Sequence, residues 1–564
     1  MTALARRSAA RAATGLRALV AALGVALIVI GTLSFAGVAP ASAAGSVHAP
    51  IRGAGSTWSE NAVQQWMKNV WANYQWRIDY DGKGSTQGRT AFRDGTAHFG
   101  VSEIPYELPN SNERDPLPQR QFAYMPIVAG GTAFMYNLEI GGNRVTNLRL
   151  SGDTIAKIFT GEITRWDDGQ IKADNPLLAL PAIPIVPVVR SDGSGATAQF
   201  TTWMRQEHTA VWDAYCGKVN RPVVNGHCGI TSNYPVAPGS GFVSKALSNG
   251  VAGYVAQAHA VGAITFVEYS YALNSGFPVA KVLNAGGYYT EPTPQNVAVA
   301  LLSARINEDQ ASVNYLTQDL TQVYVSPDAR TYPLSSYSYI ILPTALEANF
   351  NEDHGLTLAD FGAYFLCEGQ QQAPTLGYSP LPINLVQAGQ EQIRKIPGGD
   401  PVIKGITDCN NPTFDPDGGN RLANTAPYPP ECDKQGPTQC LTGTGGAADT
   451  QTPASGAGSD GAGGAAGGGD EADGGADAAD DPDAAGADAG GAGGGDAGVI
   501  DADAAPTIVA GTPQTLPMAA GGVAPVLATI AAGSGLLAAA ALPPLFGRLG
   551  RRRSALPLPT GADR

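Results

Sequence analysis

Hydrophobic and polar positions follow four regimes along the chain. From Leu19 to Phe35 the residues are almost continuously apolar, behind Arg6, Arg7, Arg11 and Arg17. That order, closed by Ala41-Ser42-Ala43, predicts a secretion signal over residues 1–43. Between 44 and 440 short β-rich runs alternate with helical spacing. Phe134-Met135-Tyr136-Asn137-Leu138 and Ile183-Pro184-Ile185-Val186-Pro187-Val188-Val189 predict strands. The apolar positions in Ala62-Val63-Gln64-Gln65-Trp66-Met67-Lys68-Asn69-Val70-Trp71 recur at helical spacing, and residues 153–159 and 297–305 behave alike. Such alternation predicts α/β layers, and no internal repeat is visible. From 441 to 512 the pattern vanishes. A second apolar stretch, Val523 to Phe546, then predicts a transmembrane helix over 521–546. Arg548, Arg551, Arg552 and Arg553 follow it, which places the body outside and the 547–564 tail in the cytoplasm.

Composition explains the silent regime. Residues 441–512 are mostly Gly, Ala and Asp, without aromatics, and carry thirteen acids and no base. They cannot bury a core, so a disordered, charge-extended stalk is predicted. Leu516-Pro517-Met518-Ala519-Ala520 before the apolar stretch has the order of a cell-wall sorting signal, but the Thr-Gly that a sortase uses is absent. A retained membrane helix is favoured, and wall attachment is the other option.

The formal charge is −14. The four signal arginines, a net +4 after residue 513 and the thirteen stalk acids leave the body 44–440 at −9. An acidic body argues against a nucleic-acid partner. It also means that any bound anion is held by local dipoles rather than steered in by long-range charge. Six cysteines in an exported chain favour three disulfides. Short loops suggest Cys216–Cys228 and Cys432–Cys440, leaving Cys367–Cys409, although spacing alone leaves other pairings open. There is no Cys-x-x-Cys and the six histidines are scattered, so neither a metal site nor a cofactor is expected.

Three Gly/Ser/Thr-rich turns stand where a strand gives way to a helix. They are Gly53-Ala54-Gly55-Ser56-Thr57-Trp58, Gly82-Lys83-Gly84-Ser85-Thr86-Gln87-Gly88 and Arg190-Ser191-Asp192-Gly193-Ser194-Gly195-Ala196-Thr197. In each, glycine lets the backbone approach a ligand and hydroxyls can donate. The first N–H groups of the next helix, with the positive dipole end behind them, point the same way. A single turn of this kind reads equally as an N-cap. Three, one beside an arginine, point to an anion. Arg190 supplies a planar fork suited to a tetrahedral oxyanion. Thr96-Ala97-His98-Phe99-Gly100-Val101-Ser102-Glu103 ends a strand with a carboxylate. Beside an anion, that acid is useful only if the anion has a proton to donate. Phosphate has one and sulfate at neutral pH has none.

Together these strings resemble the phosphate-binding proteins of bacterial ABC importers, a periplasmic-type solute-binding family. Ile158-Phe159-Thr160-Gly161-Glu162-Ile163-Thr164-Arg165-Trp166-Asp167-Asp168 and Gly262-Ala263-Ile264-Thr265-Phe266-Val267-Glu268-Tyr269 add to the likeness, which runs in order over about residues 50–345. The resemblance implies a two-lobed fold with a hinge. Lobe 1 is expected from 44–128 and 281–440, and lobe 2 from 129–280, with inorganic phosphate in the cleft and a permease as partner. It implies contacts from Thr57 and the Trp58 N–H, the Ser85 hydroxyl, the Arg190 charge held by Asp192, and donors at Ser194 and Gly195. Glu103 stands where the family has an Asp acceptor, and Ala196 where it usually has Thr. No nucleophile–base pair is visible, so no enzyme is expected. The competing reading is a tethered surface sensor or adhesive module that reuses the fold.

Overall fold

The structure, a computed structural model, describes residues 48–399, 405 and 408–452. The predicted signal, the predicted span 521–546 with its basic tail, and the predicted stalk beyond 452 lie outside the described residues. Among the described residues no helix is long and apolar enough to cross a membrane.

Eleven strands form one mixed sheet. They are β1 (Ile51–Gly55), β2 (Ile78–Gly82), β3 (Phe99–Ser102), β4 (Phe122–Tyr136), β5 (Arg149–Leu150), β6 (Val186–Arg190), β7 (Val243–Lys245), β8 (Ala263–Glu268), β9 (Val279–Leu283), β10 (Tyr289–Thr290) and β11 (Ser335–Pro343). Their order along the main path is β7-β6-β8-β4-β11-β3-β1-β2, with β9 pairing β4, β5 and β10. The helices used below are α1 (Glu60–Tyr74), α2 (Ser85–Arg93), α3 (Gly152–Phe159), α4 (Gly195–Glu207), α5 (Leu247–Val255), α6 (Tyr269–Ser275) and α7 (Pro294–Leu301).

The predicted helices at 62–71, 153–159 and 297–305 correspond to α1, α3 and α7. The strand expected at 183–189 starts later, at Val186, because its first residues pair elsewhere. Pro184 bridges Arg165, and the Ile185 N–H donates to the Thr164 carbonyl.

Strand β4 is the backbone of the molecule. Its Phe122–Gly131 part pairs antiparallel with β11, and its Thr132–Tyr136 part pairs antiparallel with β8. On either side lies a parallel set. β2, β1 and β3 run together on one flank, and β7, β6 and β8 on the other. In each set the chain leaves the carboxyl end of a strand and enters a helix, the place where open α/β sheets put their ligands. The predicted lobe boundaries at 128/129 and 280/281 both fall inside strands, β4 and β9.

The chain after Ser379 straps the body. The buried Arg149 guanidinium donates to the carbonyls of Thr438 (2.8 Å) and Cys432 (3.1 Å), and buried Lys281 pairs with Asp433 at 2.6 Å. Residues 441–452 belong to this strap and not to the stalk. Thr444 is fully buried, and its hydroxyl lies on the Thr146 and Val279 carbonyls. Thr452 meets Thr146 through its hydroxyl. A hydroxyl that buries itself by hydrogen bonding leaves no mark in a hydrophobic pattern.

Cys216–Cys228, Cys367–Cys409 and Cys432–Cys440 are the disulfides. Cys367–Cys409 closes by far the longest loop, with a sequence separation of 42. Replacing both of its cysteines by serine is expected to cost about 4 kcal/mol, more than either of the other pairs, since loop entropy grows with length. Urea unfolding of the three double-serine variants tests the ranking.

Candidate functional site

All three glycine-rich turns meet. Gly84, with φ +89, caps α2 in a conformation that disfavours other residues. Its N–H donates to the Gly55 carbonyl at 2.8 Å, tying the second turn to the first. A Cβ at Gly84 would lie 2.6 Å from Asp192 Oδ2 and 2.8 Å from the Gly193 carbonyl, so only glycine lets the third turn come this close. The Thr86 N–H donates to Gly193 (3.2 Å), and the Gly195 N–H donates to Ser85 Oγ (3.0 Å). The first turn leaves β1 and the second β2 on one flank, and the third leaves β6 on the other. The pairings through β4 and β11 make the two flanks run in opposite directions, so the carboxyl ends of the two parallel sets face one another.

Arg190 ends β6 and is 3% exposed. Its Nε donates to Asp192 Oδ1 at 2.8 Å and its Nη2 to Oδ2, while Nη1 donates to Ser248 Oγ at 3.1 Å. Ser248 Oγ in turn lies 2.8 Å from Thr57 Oγ1. The Leu247 N–H also donates to Asp192 (2.8 Å). Burial pushes the Asp192 carboxyl up, but the hydrogen bonds and charge of Arg190 with the Leu247 N–H outweigh it and hold the group below the usual carboxylate range. Arg190 is therefore gripped from one side and turned toward the first turn, not toward solvent.

Glu103 follows β3 and is buried. Ser85 donates to its Oε2 at 2.6 Å, and Ser338 Oγ on β11 lies 3.0 Å from both Oε1 and Ser59 Oγ. Its carboxylate also presses on the third turn, since a Cβ at Gly195 would fall 1.9 Å from Oε2. The methylene that glutamate adds over aspartate carries the acceptor across to Ser85 and Gly195.

Several expected contacts are arranged differently. The Trp58 N–H donates to Ser56 Oγ at 2.9 Å within its own turn, and the indole packs inward. Ser194 is an N-cap: its Oγ accepts from the Thr197 N–H (3.2 Å) and its N–H donates to the Ser232 carbonyl (2.9 Å). The Thr197 hydroxyl, beside Ala196, is fully buried with no partner among the described residues. Thr57, Ser85, Glu103, Arg190, Asp192 and Gly195 are brought together as a set.

Sequence reasoning missed Ser248 and Tyr271, in the first turns of α5 and α6, and Ser338. The signal existed for the first two: each follows the end of a parallel strand, as the glycine-rich turns do. Glu60 is a further acid at the site. Burial pushes its carboxyl up, with a hydrogen bond from Gln64, and it faces Asp81 and Arg190. One guanidinium thus faces both Asp192 and Glu60.

Residues 37–368, more than half of the chain, match the PBP superfamily domain. The chain belongs to the PBP superfamily. Within it, this PBP-superfamily chain is 30% identical over 348 residues to the phosphate-binding protein PstS of Xylella fastidiosa, covering 62% of this chain and 86% of that protein. It is 29% identical over 360 residues to PstS of Methanocaldococcus jannaschii, covering 61% and 86%. Among solved structures, the ancestral soluble variant of the Human Phosphate Binding Protein aligns with a TM-score of 0.47 at 19% identity, covering 63% of this chain and all of that one. The resemblance carried by the three turns holds at the level of the family.

Proposed function

We propose that this protein captures inorganic phosphate outside the cytoplasm and delivers it to the permease of an ABC transporter. One observation carries the reading: three glycine-rich helix entrances and a buried arginine converge, with a carboxylate among them. Helix N-termini and hydroxyls supply dipoles for an anion, and Arg190 supplies the full charge. Thr57, Ser85, Arg190 and Gly195 are assigned as phosphate contacts, Asp192 and Ser248 as holders of Arg190. Trp58 and Ser194 are assigned to shaping their turns. Glu103 accepts the proton of a protonated phosphate and leaves sulfate with an unmatched acceptor. The relatives bear the names of binding proteins, and no covalent step is proposed here.

In this reading residues 44–128 and 281–440 form one lobe and 129–280 the other, closing by a hinge. The first two turns and Glu103 come from one, and Arg190, Asp192, Gly195 and Ser248 from the other. Anchoring by the 521–546 segment is proposed from sequence alone.

Thermal unfolding tests the ligand. Millimolar phosphate should raise the midpoint by several degrees, since a ligand present at about 1,000 times its Kd stabilises by about 4 kcal/mol. Sulfate should leave it within a degree or so. Equal shifts with both would remove the role given to Glu103. No shift with either would favour the surface-module reading.

A further inference from the structure

Beneath the first turn lies a chain of buried polar groups that the contacts above do not use. Tyr378 donates its O–H to the Trp58 carbonyl at 2.6 Å, and Tyr271 donates to the Thr57 carbonyl. In a trans peptide the C=O and N–H point in opposite directions. Pinning the Trp58 carbonyl therefore fixes where the Ser59 N–H points, at the entrance of α1. Pinning the Thr57 carbonyl does the same for the Trp58 N–H.

Behind Tyr378 stands Ser270, with Oγ 3.2 Å from the tyrosine oxygen. Ser270 Oγ also lies against Glu268 Oε2, which accepts the Ser270 N–H at 2.8 Å, and it accepts from Asn61 Nδ2 at 2.7 Å. Glu268 ends β8, caps α6, and is fully buried, and its Oε1 has no partner among the described residues. A buried carboxylate with one oxygen unmatched is costly when charged and tolerable when protonated. Burial, opposed by the hydrogen bonds from Ser270, pushes this carboxyl up to about 8. The titratable groups facing it are the phenols of Tyr269 and Tyr271 on α6 and of Tyr378. Glu60 and Arg190 lie beyond Tyr271, and Glu291 beyond Tyr269.

Ser270 has a single hydroxyl proton, so the direction of the chain depends on Glu268. With Glu268 protonated, the acid donates to Ser270, Ser270 donates to Tyr378, and Tyr378 donates to the Trp58 carbonyl. With Glu268 ionised, Ser270 must turn its proton back to the carboxylate, and Tyr378 loses its donor.

We propose that Glu268, Ser270 and Tyr378 form a proton-directed positioning chain that sets the first anion-facing turn, so that capture weakens when Glu268 loses its proton. None of the three is assigned a contact with the anion. The inference rests on the phosphate reading above.

Calorimetric titration of the full-length protein with inorganic phosphate at pH 7 and pH 9 tests it, using wild type, Glu268→Gln and Tyr378→Phe. Phosphate's own second ionisation is common to all three and cancels in the comparison. The ratio of Kd at pH 9 to Kd at pH 7 is expected to be about tenfold larger in wild type than in Glu268→Gln, whose amide does not ionise between the two pH values. Tyr378→Phe should bind about tenfold more weakly at pH 7 and show the same flattened ratio. Equal ratios in wild type and Glu268→Gln would overturn the chain, and that arm decides even if Tyr378→Phe does not fold. No phosphate heat from wild type would instead overturn the phosphate reading itself, and the chain with it.

Discussion

Replacing Arg190 by alanine is expected to abolish phosphate-dependent stabilisation and also to weaken the fold. The binding loss follows from removing the buried guanidinium among the converging turns. Truncating one partner of a buried, hydrogen-bonded charge pair typically costs about 2–5 kcal/mol in binding, up to a few thousandfold in Kd. The stability loss has a separate cause. Hydrogen bonds and charge from Arg190 offset the burial of Asp192, and alanine leaves that carboxylate with only the backbone N–H groups of Leu247 and Asp192 itself. An uncompensated charge in such a place costs about 3 kcal/mol. Adding Asp192→Asn removes the stranded charge, so the double variant should regain much of the stability and none of the binding. Denaturant unfolding with and without phosphate separates the two effects. Phosphate-dependent stabilisation surviving in Arg190→Ala would sink the site assignment.

Gly195→Ala is expected to be nearly as damaging, through sterics alone. The new methyl would sit 1.9 Å from Glu103 Oε2 and 2.7 Å from Ser85 Oγ. Glu103 must retreat, which breaks its bond from Ser85 and disturbs the one at Ser338. Overpacking of this kind costs about 1–3 kcal/mol in stability. The binding loss should be larger, about a hundredfold or more, because acceptor and donor move together. Gly253→Ala is the control. It lies within α5, its Cβ would meet nothing within 4 Å, and a helix-interior glycine replaced by alanine stabilises by about 0.5–1 kcal/mol. Phosphate titration of the two variants distinguishes the local clash from a general intolerance of alanine.

The three turns were legible because each concentrates glycine and hydroxyls in one short string at a strand-to-helix junction. Their convergence was not legible from spacing, since it depends on β4 and on β11 arriving from residue 335 to lie between β3 and β4. Ser338 enters the site on that late strand, which no local pattern announces. Ser248 follows a three-residue strand with no glycine-rich string, so only its place at a strand's carboxyl end marks it. The hinge-like boundary expected at 128/129 falls in the middle of β4 because that strand is buried nearly throughout, and a continuous apolar run carries no sign of where its partner changes. Ser194 shows how one residue carries two readings: its Oγ takes the Thr197 N–H as a helix cap, and a hydroxyl that accepts still has a proton to donate.

The strap formed by the last described residues also determines how the body would respond to a mechanical tug. Tension applied at residue 452 reaches the Thr452–Thr146 contact first, then the Thr444 bond to β9 and the Arg149 grip on Cys432 and Thr438. The three glycine-rich turns are not on that route. A pull applied at residue 452 would thus load the body without passing directly through the three turns.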